Sequence, residues 1–320
     1  MAYIIECDHI TKWIGSFALR DIHFKLEPGY IMAVIGCNGA GKSTLVRTML
    51  GSYKLYNHGE DYRQNTSEAR KMAANKGDIY VEGYSVKSEG YGYKQRIAYV
   101  LNECPFDMNL SVKKTGEFYG SFYEGFDLKR YLAYCREYGI SETKLVGKLS
   151  TGEQIKLQLA FAQSYEAVLY IMDEPAGNLD VKFRKVLYDT MRELISEGDK
   201  SIIFVTHLVE EIENMADYIL WIEEGEQRFF GSMENLSDQY LLYNGEEPLD
   251  MLHENMCDVQ IIGKRIRETH KEYLLNGMGL VEQLPERIRK DCRRASLKEI
   301  MYYVEEQRMG SEAFRKEWDR

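Results

Sequence analysis

Gly36-Cys37-Asn38-Gly39-Ala40-Gly41-Lys42-Ser43-Thr44 is the stretch of sequence that decides the fold. The apolar run 30–35 before it predicts a buried strand, and residues 45–50 after it are apolar at helical spacing. A glycine-rich turn between a strand and a helix is the context of a P-loop. Its glycines let the backbone approach phosphates, and the following helix N-terminus presents N–H groups to an anion. We expect Lys42 to reach the β- and γ-phosphates of a nucleotide and the Ser43 hydroxyl to bind Mg²⁺.

Two further apolar runs predict strands of a parallel sheet that end in polar residues. Residues 168–172 lead into Asp173-Glu174-Pro175, and residues 201–205 lead into Thr206-His207. Ligands of open α/β sheets bind beyond the carboxyl ends of the strands, so these side chains should meet the P-loop. We expect Asp173 to hold Mg²⁺, Glu174 to orient or deprotonate a water, and His207 to sense the γ-phosphate.

Residues 149–154, Leu-Ser-Thr-Gly-Glu-Gln, open another predicted helix. Ser150 and Gly152 at a helix N-terminus form a second possible anion site, although any N-cap has a similar pattern. Between the two sites, residues 111–148 have helical periodicity, with Phe118, Phe122 and Phe126 spaced by four. Such an aromatic stripe is either a docking surface or the core of a small helical subdomain, and we favour the core.

Composition narrows the class of protein. The 320 residues are enough for one large or two medium domains, and the formal net charge of −10 disfavours a nucleic-acid partner. The six cysteines include no CxxC pair, as expected for reduced thiols in the cytoplasm. The first residues lack a signal-peptide pattern, and no apolar run approaches the roughly 20 residues of a spanning helix.

Taken in order, these motifs resemble the ATP-binding subunit of an ABC transporter over about residues 3–236. Residues 36–44 resemble the Walker A motif, 149–153 the LSGGQ signature, 168–174 Walker B, 177–180 the D-loop, and His207 the switch histidine. The resemblance implies an α/β fold: a RecA-like P-loop NTPase core with an antiparallel β-subdomain and a helical subdomain. It also implies that ATP and Mg²⁺ are the cofactors.

The resemblance assigns further residues to the nucleotide. It implies contacts from Ser150, Gly152 and Glu153, although Thr151 and Glu153 stand where the family has glycine and glutamine. Asn102 takes the place of the Q-loop glutamine and is one methylene shorter. Ile14 takes the place of the adenine-stacking aromatic, for which Trp13 or Phe17 would substitute.

We expect an ABC domain at 1–230, with the helical subdomain at about 103–148, and a mostly helical C-terminal extension at 231–320. Residues 52–76 are expected to form a solvated surface insertion. The end of the chain, around 295–301, is similar to bacterial exporter-type subunits whose permease is a separate polypeptide.

Three functions follow from the resemblance. The favoured one is an ATP-hydrolysing motor, with ATP bound between two nucleotide-binding subunits in a homo- or heterodimer. It would drive a membrane permease subunit, and the protein would then be cytoplasmic and peripheral on the inner face of the membrane. The alternatives are a soluble ABC ATPase without a transport role and a degenerate regulatory subunit. A soluble ABC ATPase is disfavoured because every motif occurs only once. A degenerate regulatory subunit is disfavoured because the chain retains Lys42, Asp173, Glu174 and His207.

Overall fold

The computed structural model describes residues 3–53, 75–88, 91–249, 259–266, 270–277 and 284–309. The chain divides into two compact units, Met1–Phe230 and Gly231–Arg320. Most of the expected insertion at 52–76 lies outside the described residues. No helix in the described ranges is both long and apolar enough to cross a membrane.

The first unit combines ten strands with six described α-helices. Its strands are β1 Ile5–Ile14, β2 Phe17–Leu26, β3 Ile31–Ile35, β4 Lys76–Val81, β5 Tyr84–Ser85, β6 Ile97–Val100, β7 Leu169–Asp173, β8 Ser201–Val205, β9 Tyr218–Glu223 and β10 Glu226–Ser232. Its helices are α1 Lys42–Met49, α2 Val112–Gly120, α3 Leu128–Glu137, α4 Thr151–Ala162, α5 Val181–Ile195 and α6 Val209–Met215.

The strand order of the large sheet is β5-β4-β1-β2-β10-β9-β3-β8-β7-β6. The run β9-β3-β8-β7-β6 is parallel, and β3 and β8 are buried along their whole length. Continuous burial explains why these segments are apolar at every position rather than at every second one. Because β3, β8 and β7 are neighbours, their carboxyl ends bring the P-loop, His207 and the 173–174 acids to one edge.

The antiparallel part of the sheet is formed by β5, β4, β1 and β2, in that order. The β1–β2 hairpin ends in the pair Ile14–Phe17, and residues of both strands alternate between core and solvent. The predicted RecA-like core with an antiparallel β-subdomain is therefore confirmed.

The helical subdomain contains α2 and α3, and the aromatic prediction holds for only part of it. Tyr131, Cys135 and Tyr138 are buried, whereas Phe118 and Phe122 are 54% and 61% exposed. Both rings lie near one end of α2 and pack edge to face on each other. The prediction that the aromatic stripe forms the core of the subdomain was wrong for Phe118 and Phe122. Spacing by four places residues on one face of a helix, but it does not show whether that face is buried.

The second unit contradicts the expected mostly helical extension. Four antiparallel strands form a sheet of order β12-β13-β11-β14, with β11 Tyr240–Gly245, β12 Gln260–Ile266, β13 Lys271–Asn276 and β14 Cys292–Arg294. Three described helices accompany it: α7 Met233–Gln239, α8 Glu286–Arg289 and α9 Leu297–Met309. The apolar runs of β11 and β13 are only three or four residues long, and periodicity cannot separate such a run from a helix segment.

Candidate active site

The P-loop connects β3 with the N-terminus of α1. Gly36 has φ 145°, and a Cβ atom there would lie 2.0 Å from the carbonyl oxygen of Ile222, so only glycine fits. Gly41 is the N-cap of α1 and provides no side chain to cap the helix. The N–H groups of the first turn are therefore left for an anion.

A cavity of about 460 Å³ opens above this turn. Its lining includes most of the predicted phosphate-binding residues: Asn38, Gly39, Gly41, Lys42, Ser43 and Thr44. The ammonium of Lys42 donates hydrogen bonds to the carbonyl oxygens of Gly36 and Cys37 at 2.6 and 3.0 Å, while Ala40 is buried beneath the turn. A glycine cradle, an uncapped helix start and a lysine turned inward fit a polyphosphate.

Asp173 ends β7 in the same cavity and hydrogen-bonds the Ser43 side chain. Burial, and then the charge of the adjacent Glu174, raise the pKa of Asp173; Ser43 and Lys42 act in the opposite direction. A half-buried carboxylate paired with a serine hydroxyl offers oxygen ligands to a hard divalent cation, whose charge would offset the repulsion from Glu174. The pair therefore fits Mg²⁺.

Glu174 lines the cavity next to Asp173 and has a left-handed backbone, with φ 51°. This conformation costs a non-glycine residue about 1–2 kcal/mol. It is held by the hydrogen bond that the Glu174 N–H donates to the carbonyl of Val205, at 2.9 Å. The Glu174 carboxylate lies 2.9 Å from Nδ1 of His207. Strain of this kind at a cavity edge points to a functional role.

His207 stands on a loop that a buried network holds in place. The hydroxyl of Thr206, 2% exposed, donates to Oε2 of Glu211 at 3.0 Å. The hydroxyl of Tyr188, on α5, donates to the other oxygen of the same carboxylate. Glu211 thus connects α5 and α6 to the residue that precedes His207, and no sequence motif singles it out.

Ile14 and Phe17, the last paired residues of the β1–β2 hairpin, also line the cavity, and the Phe17 ring lies close to Gly41 of the P-loop. Trp13 does not belong to this lining, and the guanidinium of Arg20 lies 5.9 Å from its ring centroid. Of the two aromatic candidates, Phe17 is therefore the one placed to contact a base.

Ser150 and Glu153 form a capping box at the start of α4. The Ser150 hydroxyl accepts from the Glu153 N–H at 3.2 Å, and the Ser150 N–H donates to the Glu153 carboxylate at 2.8 Å. Lys144 donates to both oxygens of that carboxylate at 2.9 Å, and these contacts lower the pKa of Glu153. Glu153 thus serves to order the helix start, and its nucleotide contact stays a prediction.

Gly152 lies against the segment that follows Walker B. A Cβ atom at this position would be 2.7 Å from the carbonyl oxygen of Asn178, so the close approach requires glycine. The side chain of Asn178 donates to Oδ1 of Asn102 at 3.3 Å. The described residues lining the P-loop cavity do not include Asn102, Ser150, Gly152 or Glu153.

Gln158 is a second residue that the sequence did not single out. It is 1% exposed, and its amide bonds the N–H and the carbonyl of Leu101 at 2.8 and 2.9 Å. Helix α4 is thereby joined to the residue that follows β6, next to Asn102. A polar residue between Leu157 and Leu159 was the available signal, because a buried amide needs partners.

A parallel sheet whose strand ends carry a glycine cradle, a lysine and two acids defines a P-loop NTPase. A family model described as ABC transporter matches residues 19–177. The ABC transporter ATP-binding protein YtrB of Bacillus subtilis strain 168 is 26% identical over 239 residues, which are 74% of this chain and 75% of that protein.

An import subunit and a solved cassette extend the comparison. The sulfate/thiosulfate import ATP-binding protein CysA of Halalkalibacterium halodurans is 28% identical over 240 residues, 75% of this chain and 64% of that protein. A dimeric ATP-binding cassette in a post-hydrolysis state with ADP and Pi shares the fold, with a TM-score of 0.58 and 17% identity. That match covers 72% of this chain and 98% of the solved chain.

Residues 19–177 therefore match an ABC-type nucleotide-binding domain. Domains of this family are ATPases whose activity is coupled to transport, and the predicted class of enzyme is confirmed.

Proposed function

We propose that this protein is the motor subunit of an ABC transporter that binds MgATP between two subunits and drives a separate permease, in the direction of export. The observation that carries the proposal is the meeting of Lys42, the Ser43–Asp173 pair and Glu174 in one cavity. Electrostatic positioning of phosphate and water is the main requirement of phosphoryl transfer. A degenerate regulatory subunit has no need of a strained Glu174 aimed into this cavity.

Each residue has a separate task. The P-loop N–H groups and Lys42 bind the phosphates, and Ser43 and Asp173 would hold Mg²⁺, which would supply positive charge beside the phosphates. Glu174 accepts a proton from the attacking water, and His207 orients the Glu174 carboxylate through its 2.9 Å contact. Phe17 and Ile14, which line the same cavity, contact the base.

The second half of the site would come from another copy. Ser150 caps α4, yet it does not line its own P-loop cavity. A two-fold dimer would place Ser150 and Gly152 of one copy over the phosphates bound by the other. The close packing of Gly152 on Asn178 would couple this contact to the segment next to Glu174.

The permease would contact a second cavity of about 350 Å³, lined mainly by apolar and aromatic residues. It joins Leu50, at the end of α1, to Tyr99 of β6, to Leu101 just after that strand, and to Tyr123 of the helical subdomain. A side chain inserted there would touch the helix that begins at the P-loop, so movement at the nucleotide would reach the partner. The exposed Phe118 and Phe122 lie on the same subdomain.

Attachment to a permease would place the protein at the inner face of the membrane. Export is proposed from the resemblance of residues 295–301 to exporter-type subunits, whereas CysA is an import protein by name.

Mixing two inactive variants tests the composite site. Lys42→Ala removes the phosphate charge, and Ser150→Arg fills the signature half-site; we expect each homodimer to be inactive. A mixed dimer carries both lesions in one site and leaves the other intact, so ATPase activity should return on mixing.

Ser150→Ala is the matched control, because Ser150 is also the N-cap of α4. Loss of the cap costs about 1 kcal/mol, so both Ser150 variants should lose similar stability while only the arginine blocks the partner's phosphates. Absence of any recovery in the mixture, or full activity from a strictly monomeric preparation, would contradict the proposal.

A further inference from the structure

We propose that His9, Asp21 and His23 form a binding site for a divalent transition-metal ion on the β1–β2 hairpin, outside the nucleotide cavity. The three side chains are exposed, and one ligand atom of each lies within 4.8 Å of the others. Two imidazoles and a carboxylate are a common ligand set of protein-bound zinc and its neighbours in the first transition row.

The hairpin is irregular at this point. The pairing of β1 with β2 shifts register on both sides of the Ile10–Ile22 pair. His9 and Asp21 lie in these irregular segments with left-handed backbones, φ 49° and 53°. Bulges re-aim side chains that regular alternation would send elsewhere, and here they bring His9 and Asp21 to the exposed face that carries His23.

The hydrogen bonds of the cluster suit metal binding. Nδ1 of His9 lies 2.6 Å from Oδ1 of Asp21, and Nδ1 of His23 lies 3.0 Å from the Asp21 carbonyl oxygen. Because a carbonyl only accepts, Nδ1 of His23 carries the hydrogen, and the lone pair of the neutral ring is on Nε2. Metal-binding histidines characteristically donate their other ring N–H to a backbone carbonyl or a carboxylate.

The backbone of the cluster is also fixed by neighbouring side chains. The N–H of Asp21 donates to the Thr11 hydroxyl at 3.3 Å, and the N–H of His23 donates to the Gln227 side chain at 2.9 Å. The two imidazole rings stack with centroids 4.7 Å apart. The ligands are thus held near one another before any ion arrives, which lowers the cost of binding.

The donor set predicts which ion binds. Mg²⁺ and Ca²⁺ prefer oxygen ligands, so a site with two nitrogen donors selects Zn²⁺, Ni²⁺ or Cu²⁺. Three protein ligands leave a position for water, and the exposure of the site makes the ion exchangeable. The ion would link β1 to β2 on the hairpin whose tip, Ile14 and Phe17, lines the nucleotide cavity.

Calorimetric titration of the full chain with Zn²⁺, without nucleotide or Mg²⁺, tests the site. The wild-type protein should bind one equivalent that His9→Gln, Asp21→Asn and His23→Gln each weaken by about tenfold or more. His270→Gln is the matched control and should titrate as wild type. Any Zn²⁺ binding by cysteine thiols elsewhere in the chain would be the same in all four variants, so it would not produce a difference between the cluster variants and the control.

A second measurement uses only the wild-type chain, and so does not depend on variants that fold. Mass spectrometry after histidine modification with diethyl pyrocarbonate should show that Zn²⁺ protects His9 and His23 but not His270. Identical titrations of wild type and the three cluster variants, or equal modification of all three histidines with and without Zn²⁺, would overturn the proposal.

Discussion

Glu211→Ala should destabilise the first unit and slow hydrolysis, because Glu211 carries the buried network beneath His207. Its two carboxylate oxygens accept hydrogen bonds from Tyr188 and Thr206, and Glu211 itself is 8% exposed. Hydrogen bonds to a charged group contribute about 1.5–3 kcal/mol each. In the variant the Tyr188 hydroxyl can bond to water instead, which offsets part of the lost stability. We therefore expect the free energy of unfolding to fall by about 3 kcal/mol, the lower end of the sum for the two bonds.

The assay is urea denaturation of the nucleotide-free chain followed by tryptophan fluorescence, to which Trp221, buried in β9, contributes. Glu210→Ala is the matched control, because it removes the same charge from the same helix turn at an exposed position. The control should lose only about 0.5 kcal/mol, the helix-dipole contribution of a surface carboxylate. Equal destabilisation by the two variants would refute the network.

The kinetic part of this prediction separates positioning from stability. Thr206 immediately precedes His207, so loss of Glu211 should lower kcat at temperatures where the variant is still folded. ATP binding at Lys42 should change little. If kcat remains at the wild-type level in the folded variant, the network is structural only.

Three further predictions concern other contacts. Asp173→Asn should raise the free energy of unfolding of the nucleotide-free protein near pH 7, because burial and Glu174 raise the pKa of Asp173 and disfavour its charge; Mg²⁺-dependent hydrolysis should fall about 100-fold or more, and an equally active variant would contradict the Mg²⁺ assignment. Gly152→Ala should cost about 1–3 kcal/mol by thermal denaturation, since the new Cβ would lie 2.7 Å from the Asn178 carbonyl, whereas the exposed Thr151→Ala should cost much less. Arg293 and the Ser296 N–H lower the pKa of Glu299 to about 2, so its carboxylate stabilises the second unit above the usual pKa of 4.5 and loses this effect as the pH falls towards 2. Glu299→Gln should accordingly destabilise at pH 7, and the difference from wild type should narrow by pH 3; a pH-independent difference would contradict it.

Local patterns in the sequence predicted the core of the first unit well. The apolar runs before residues 36, 173 and 206 are strands buried on both faces, and such runs have few alternative structures. Their shared sheet edge followed from the rule that parallel strands end on the same side. The P-loop glycines were informative because each position has a backbone that other residues rarely adopt.

Long-range packing was much harder to predict. The strands of the second unit are short and pair with distant partners, so β11 and β13 looked like parts of amphipathic helices. The tasks of Glu211 and Gln158 depend on hydrogen bonds to Tyr188 and Leu101, which no local pattern reveals. The bonds of the Glu153 carboxylate to Lys144 were likewise not visible in any local pattern.

Glu174→Gln, mixed with ATP and Mg²⁺ and analysed by size-exclusion chromatography with light scattering, tests the composite site most directly. Loss of the general base should slow hydrolysis by about 100-fold or more while nucleotide binding persists. Unhydrolysed ATP should then hold two copies together, giving twice the 37.3 kDa mass of the single chain, and ADP should leave the variant monomeric. A variant that stays monomeric with ATP bound, or that hydrolyses ATP at the wild-type rate, would contradict a catalytic Glu174 in a site shared by two subunits.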